Sequence, residues 1–458
     1  MNEIKEKSIY KKALILAVPM MIQNGITNMV SLVDNVMVGT LGTEAMTAVS
    51  IVGQLIFVFN LAVFGGLSGA GIYSAQYYGQ KNMEGFRNAF RMKQFIGLFC
   101  MICGLAVFII GNEFLIERYL HGESSSVNPE ITMEYAKQYL YIMLFGIPPF
   151  VLTQIYATSL RESGDSIKPM TAGIISVVVD IVFNWILIYG NLGMPALQVR
   201  GAAIATVLSR IVECVVIVVW SITRKDKHVF LQGIYSKFSV PAGFAVKIIK
   251  KGLPIFFNEF LWAGSIAMLT QCYSTRGLEI VAGLNISNAI CNLLNVVFVA
   301  LGSAVGIIIG QMLGASEYEK AKHDSFCLMR FAGGLCIILT VILIAVSGVF
   351  PKLYDTTTEI KNYGRNFIII TALFFPLQGM LNALYFTLRS GGQTFITFLF
   401  DSVYSWVVSV TLAYILCRFT ALPVLAIYAI VQSVDIIKFA IGFILIKKGI
   451  WISNIVSE

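Results

Sequence analysis

Ser31-Leu32-Val33-Asp34-Asn35-Val36-Met37-Val38-Gly39 closes an apolar run that begins near Ala13. The run is long enough to cross a bilayer, whose hydrocarbon core asks for roughly 20 residues of helix. Asp34 is the costly residue in it. A charged side chain at the centre of a membrane helix costs on the order of 2.5–3.5 kcal/mol on insertion scales, and chains that keep one generally use it.

Similar runs recur from end to end. Of 458 residues, 57% are hydrophobic and 13% charged, about half the charged share of a soluble domain. The runs fall near 13–38, 46–78, 94–111, 134–160, 170–190, 201–222, 253–273, 281–313, 328–348, 363–388, 394–417 and 423–446. They predict an all-α polytopic membrane protein of twelve transmembrane helices. The net charge of +8 does not point to nucleic acid, because the basic residues sit in short loops and form no basic domain. Met1 to Lys12 is charged and short and lacks a small-residue cleavage site, so the first run is expected to stay as a span. Cys100 and Cys103 lie inside the third span with no second pair nearby, which reads as packing. His121, His228 and His323 are read as loop residues. No catalytic constellation and no cofactor is expected.

The basic residues test the span count. With the N-terminus inside, inner segments hold 23 of the 33 lysines and arginines and outer segments eight. Arg210 and Lys438 lie within spans. This bias supports twelve spans with both termini cytoplasmic, and so a multi-pass protein of the cell membrane.

The chain also repeats. A shift of 235 pairs Pro19 with Pro254, Gly42 with Gly277, Asn60 with Asn295, Gln76 with Gln311 and Gly79 with Gly314; a shift of 228 later pairs Leu160-Arg161 with Leu388-Arg389. Two six-span halves follow, 1–223 and 253–458, joined by a cytoplasmic segment 224–252 whose pattern predicts a short interfacial helix. Six is even, so the halves insert in the same orientation as parallel six-helix bundles. Two such lobes around a midplane site form a transporter architecture.

Counting at ~1.5 Å per residue places Asp34, Asn184 and Thr206 at one depth, five or six residues from the outer ends of the first, fifth and sixth spans. Asp180 lies one turn deeper and shares a helix face with Asn184. If they meet laterally, they form a site suited to H⁺ or Na⁺, with Na⁺ held at Asp34, Asp180 and Asn184. In the second half Glu259 and Asp401 are candidates for handling substrate or protons. Asp435 with Lys438, and Glu213 with Arg210, read as internal ion pairs. Asp34 maps to Leu269, so the upper carboxylate has no twin. Pro19 and Pro254 remove a backbone donor inside the opening span of each half, as a fixed kink or a moving hinge.

Taken in order, Val33-Asp34-Asn35-Val36-Met37-Val38-Gly39-Thr40-Leu41-Gly42, Gln76-Tyr77-Tyr78-Gly79, Leu160-Arg161-Glu162-Ser163-Gly164-Asp165-Ser166, Gly201-Ala202-Ala203-Ile204-Ala205-Thr206 and Gln311-Met312-Leu313-Gly314 give the chain its family likeness. Over nearly its whole length it resembles the multidrug and toxic compound extrusion (MATE) family. The resemblance implies a V-shaped pair of six-helix bundles exporting small cationic and amphipathic compounds against H⁺ or Na⁺. It implies a coupling-ion role for Asp34, completed by fifth-span polar residues and Thr206, and a bending role for Pro19. Many members place Asn before Asp in the fifth span; here Asp180 precedes Asn184. Family members with a seventh-span glutamate often place it later than Glu259. A monomer is expected. The alternatives are a flippase of lipid-linked oligosaccharide precursors from the same superfamily, which usually has a more cationic cavity, and an ion channel, which would conduct without coupling.

Overall fold

The computed structural model describes residues 2–120, 128–224, 228–234 and 239–457. His121 and part of segment 224–252 lie outside them. Among the described residues, eleven helices are long and apolar enough to span a membrane, and one bent pair supplies a twelfth crossing. In chain order they are α1 (Asn2–Gly39), α2 (Thr43–Gly79), α3 (Met83–Leu120), the pair α4 (Pro129–Leu144) and α5 (Ile147–Glu162), α6 (Ile167–Tyr189) and α7 (Gln198–Thr223). After these come α8 (Ala242–Ser274), α9 (Leu278–Gly314), α10 (Tyr318–Ser347) and α11 (Thr358–Ser390). The last two are α12 (Thr394–Phe419) and α13 (Val424–Lys448).

Several helices outrun the predicted spans. Hydropathy marks only the turns that lipid must accept, while polar turns continue the same helix into water. So α3 starts at Met83 rather than near 94, and α10 carries His323 on a helix instead of a loop. The expected separate linker helix is absent among the described residues. Val229–Leu231 form a short 3₁₀ turn, and Ala242 onward is already α8, which runs unbroken through Pro254. The fourth span, read as one run, is broken instead. Gly146 precedes Ile147-Pro148-Pro149, and two consecutive prolines deny donors to the preceding turn and clash with its carbonyls. α4 and α5 meet there at a 49° bend.

α12 departs from α-helical geometry where it carries its carboxylate. Leu399–Val403 and Ser405–Val410 are π-helical, a wide turn that frees carbonyls and often marks a functional segment. Hydroxyls fill part of the gap: Ser405 Oγ donates to the Asp401 carbonyl (2.8 Å) and Thr411 Oγ1 to the Trp406 carbonyl (3.2 Å).

The chain folds into two compact units. One comprises Met1–Met21, Ala75–Asn82 and Lys247–Glu458; the other comprises Ile22–Ser74 and Met83–Val246. α1 therefore changes unit two residues after Pro19, and α2 changes near its C-terminus. In the first unit, Ile9, Ala13, Leu16 and Ala17 of α1 share a buried cluster with Leu301, Val305, Leu328 and Leu384. In the second, small residues bring helices together, as they commonly do in membranes. Gly201 of α7 faces the Leu187 backbone of α6, and Gly104 of α3 faces the Phe59 ring.

The sequence repeat becomes a physical contact within the first unit. A Cβ on Gly79 would collide with the Gln311 carbonyl, and a Cβ on Gly314 with the Gln76 carbonyl. These are the paired positions of the 235-residue shift. The Gln76 side-chain amide Nε2 donates to the carbonyls of Ser390 (2.9 Å) and Ser453 (3.2 Å), while its Oε1 accepts from the Ile455 amide (3.0 Å). Backbone cannot rotate away as a side chain can. Gly79→Ala is expected to cost about 1–3 kcal/mol, read as a lower unfolding temperature of the purified protein. Adding Gly314→Ala should cost less than the sum, since both press on one contact. Unchanged melting of Gly79→Ala would refute the close approach.

Candidate functional site

α1, α4, α6 and α7 of the second unit bring polar groups together inside the bundle. Asp180 and Asn184 lie one turn apart on α6 and are buried. Asn184 Nδ2 donates to Asp34 Oδ1 at 2.7 Å and to Asp180 Oδ2 at 3.2 Å. The two hydrogens of one amide nitrogen thus serve two carboxylates. The carboxyl groups of Asp34 and Asp180 are themselves within hydrogen-bonding reach of each other. Carboxyls so placed need a proton or a cation between them. Asp180 Oδ1 and Asn184 Oδ1 are buried without a hydrogen-bond partner, although buried oxygens are ordinarily satisfied. Carboxylate and amide oxygens are the donors a hard cation takes.

Thr206 faces this group less directly. Its hydroxyl donates to the Ala202 carbonyl of its own helix at 3.1 Å and lies beside Asp180 and the Tyr139 phenol. The sequence reading missed Tyr139 on α4 and Ser209 on α7, which also neighbours Asp180. For Ser209 a signal existed: it sits at i+3 from Thr206. Tyr139 had none, being one aromatic among many. The expected pair between Arg210 and Glu213 does not form within 4 Å among the described residues. The Arg210 side chain instead packs over the Phe150 ring, 5.1 Å from its centre. Nearby, Asn60, Leu61, Phe64, Leu67, Phe150, Gln154 and Thr158 line a cavity of about 220 Å³. That is below the ~300–1,000 Å³ typical of sites for drug-sized ligands.

The first unit has its own polar network. Lys438 Nζ donates to Asp401 Oδ1 at 2.8 Å. Asp435, expected as the partner of Lys438, accepts instead from Gln378 Nε2 at 2.6 Å. The reason is local. α13 breaks at Val434, so Asp435 opens a new turn toward α11 while the longer Lys438 reaches α12. Asn258 Nδ2 donates to Asp401 Oδ2 (3.1 Å) and to the Tyr385 hydroxyl (3.2 Å), and Asn258 Oδ1 accepts from Ser402 Oγ (2.7 Å). Glu259 adjoins this network, attracted by Arg389 and repelled by Asp401.

Each half matches one family profile. The MatE family pattern covers residues 19–186 and again 254–415, starting both times at the repeated proline. The chain belongs to the MatE family. This MatE transporter is 28% identical over 433 residues to the probable multidrug resistance protein YoeA of Bacillus subtilis, across 92% of this chain and 90% of that one. Its fold matches a MOP superfamily transporter from Pyrococcus furiosus with a TM-score of 0.84, at 21% identity and 96% of each chain. It also matches the MATE transporter VcmN of Vibrio cholerae with a TM-score of 0.83, at 16% identity and 97% of each chain. The all-helical fold and the family assignment read from the sequence therefore stand, and they describe a transporter.

Proposed function

We propose that this MatE transporter exports small cationic or amphipathic organic compounds by antiport against H⁺ or Na⁺. The observation that carries the proposal is the Asn184 amide bonded to two carboxylates, with Asp180 Oδ1 and Asn184 Oδ1 left unpartnered beside it. The relative named for multidrug resistance supports the substrate class. Asp34, Asp180 and Asn184 hold the coupling ion, and Thr206 closes the site beside Asp180. The ion drives transport because it binds one state of the protein more tightly than the other, which is the only way a ligand shifts such an equilibrium. Glu259 and Asp401 meet the substrate or relay a proton in the other half, and Pro19 lets α1 bend. The transporter works as a monomer in the cell membrane with both termini in the cytoplasm.

The test is ethidium efflux from liposomes holding the purified protein, under an imposed pH gradient or an imposed Na⁺ gradient. One gradient should accelerate efflux and the other should not. Equal efflux with and without either gradient would overturn the antiport reading.

A further inference from the structure

Lys438 carries an ammonium into the interior of the first unit, and its surroundings are those of a bound organic cation. Its Nζ donates to Asp401 Oδ1 at 2.8 Å. The same nitrogen lies 5.4 Å from the centre of the Phe400 ring and 6.0 Å from that of Tyr404. Both fall within the ~6 Å over which an aromatic face attracts a cation. Rings set around a charge in this way are a device by which proteins hold ammonium ligands.

The walls of this cage belong to α12 and stand without the lysine. Phe400 is part of a buried apolar cluster. Tyr404 Oη donates to the Val434 carbonyl at 2.6 Å. Asp401 Oδ2 accepts from Asn258 Nδ2 at 3.1 Å. Phe400 and Asp401 sit in the π-helical stretch Leu399–Val403, which Tyr404 directly follows, and such wide turns recur at functional sites. The Lys438 and Asp401 side chains keep 11% and 18% of their surface exposed, so the cage is not sealed.

The lysine also has a second place to go. Asp435 precedes it by three residues in the helix that begins after the Val434 break, and side chains three apart on a helix are neighbours. Asp435 Oδ2 accepts from the neutral Gln378 amide at 2.6 Å. The flexible lysine stem moves its charge from Asp401 to Asp435 without stranding it.

We propose that Lys438 is a tethered stand-in for the transported compound: a protonated organic amine displaces its ammonium from Asp401, Phe400 and Tyr404, and Lys438 passes to Asp435. This rests on the reading of Asp401 as a residue that meets substrate. A protonated amine reproduces both the hydrogen bond to Asp401 Oδ1 and the charge over the rings. A quaternary ammonium has no N–H for that bond, and a neutral compound has no charge. Between substrates the lysine keeps Asp401 from standing as an uncompensated buried charge, which is strongly disfavoured.

Calorimetric titration of the purified protein with N,N-dimethylbenzylammonium, a protonated tertiary amine, tests this without any gradient; benzyl alcohol is the neutral control. Lys438→Met removes the competitor and should bind the amine several-fold more tightly than wild type. The amine, and not benzyl alcohol, should also raise its melting temperature. Asp435→Asn leaves the Lys438–Asp401 pair in place, and its new amide oxygen still accepts from Gln378. It should nevertheless bind the amine several-fold more weakly, because the displaced lysine loses its second carboxylate. A purely structural ion pair predicts no such change. Wild-type amine affinity in Asp435→Asn, or in a folded Lys438→Met, would overturn the proposal. If gradient-driven ethidium efflux persists beside that result, export stands and only the stand-in falls. If efflux ignores both gradients while the two variants shift amine binding in opposite directions, antiport falls and the cation cage stands.

Discussion

Asp34→Asn is expected to reduce gradient-driven ethidium efflux by roughly 5–150-fold, the range of a 1–3 kcal/mol coupling between ion and transport cycle. The substitution separates charge from scaffold. An asparagine oxygen at position 34 still accepts the 2.7 Å bond from Asn184 Nδ2, so the helices keep their contact. What disappears is a group able to bind and release a proton, or to carry the charge that holds Na⁺. Asp180→Asn should act in the same direction, since Asp180 takes the other hydrogen of the same amide at 3.2 Å. The pair should be non-additive, because either change alone already alters the shared site. The measurement is the ratio of efflux with the gradient to efflux without it, at matched protein content. A ratio equal to wild type in both variants would remove these carboxylates from the coupling mechanism.

Lys438→Met is expected to destabilise the protein by about 3–5 kcal/mol, the cost of leaving one member of a buried ion pair without the other. Lys438 Nζ is the counter-charge on Asp401 Oδ1 at 2.8 Å, and both side chains are largely shielded. Its removal strands Asp401, which keeps only the neutral Asn258 amide on its other oxygen. Adding Asp401→Asn should recover most of the loss, since breaking such a pair is costly while replacing both charges is often nearly neutral. Thermal unfolding of the purified variants reads the stability, and efflux of the double variant reads the role. A stable double variant that still exports would make the pair structural; one that folds and fails to export would assign Asp401 to transport, as proposed here. The same double variant that melts no higher than Lys438→Met would refute the pairing.

Much of this was legible in the chain. Twelve spans, the two-fold repeat and the family follow from apolar length, basic bias and spaced motifs. Each of these depends on one residue's own solvation or on distance along the chain. The same holds for the depth of Asp34 and Asn184 and for the shared face of Asp180 and Asn184, because a helix converts position into height and angle. Where a reading required knowing which helices are neighbours, it failed or stayed open. Lys438 was assigned to Asp435 by proximity in sequence, yet a break at Val434 and a long flexible stem took it to Asp401. Arg210 was assigned to Glu213 for the same reason and went to Phe150. The fourth span looked continuous because hydropathy does not register that Pro148 and Pro149 cannot complete a turn.

The sequence by itself therefore determined that this is a two-fold repeated membrane transporter with Asp34, Asn184 and Thr206 at one depth and a second carboxylate, Asp180, one turn below. Only the tertiary structure decided which side chains share those carboxylates: one amide, Asn184, bridges Asp34 and Asp180. Lateral neighbours are set by how helices pack. That packing rests on contacts such as Gly79 on the Gln311 backbone, where two points 232 residues apart touch and no local property of either announces the other.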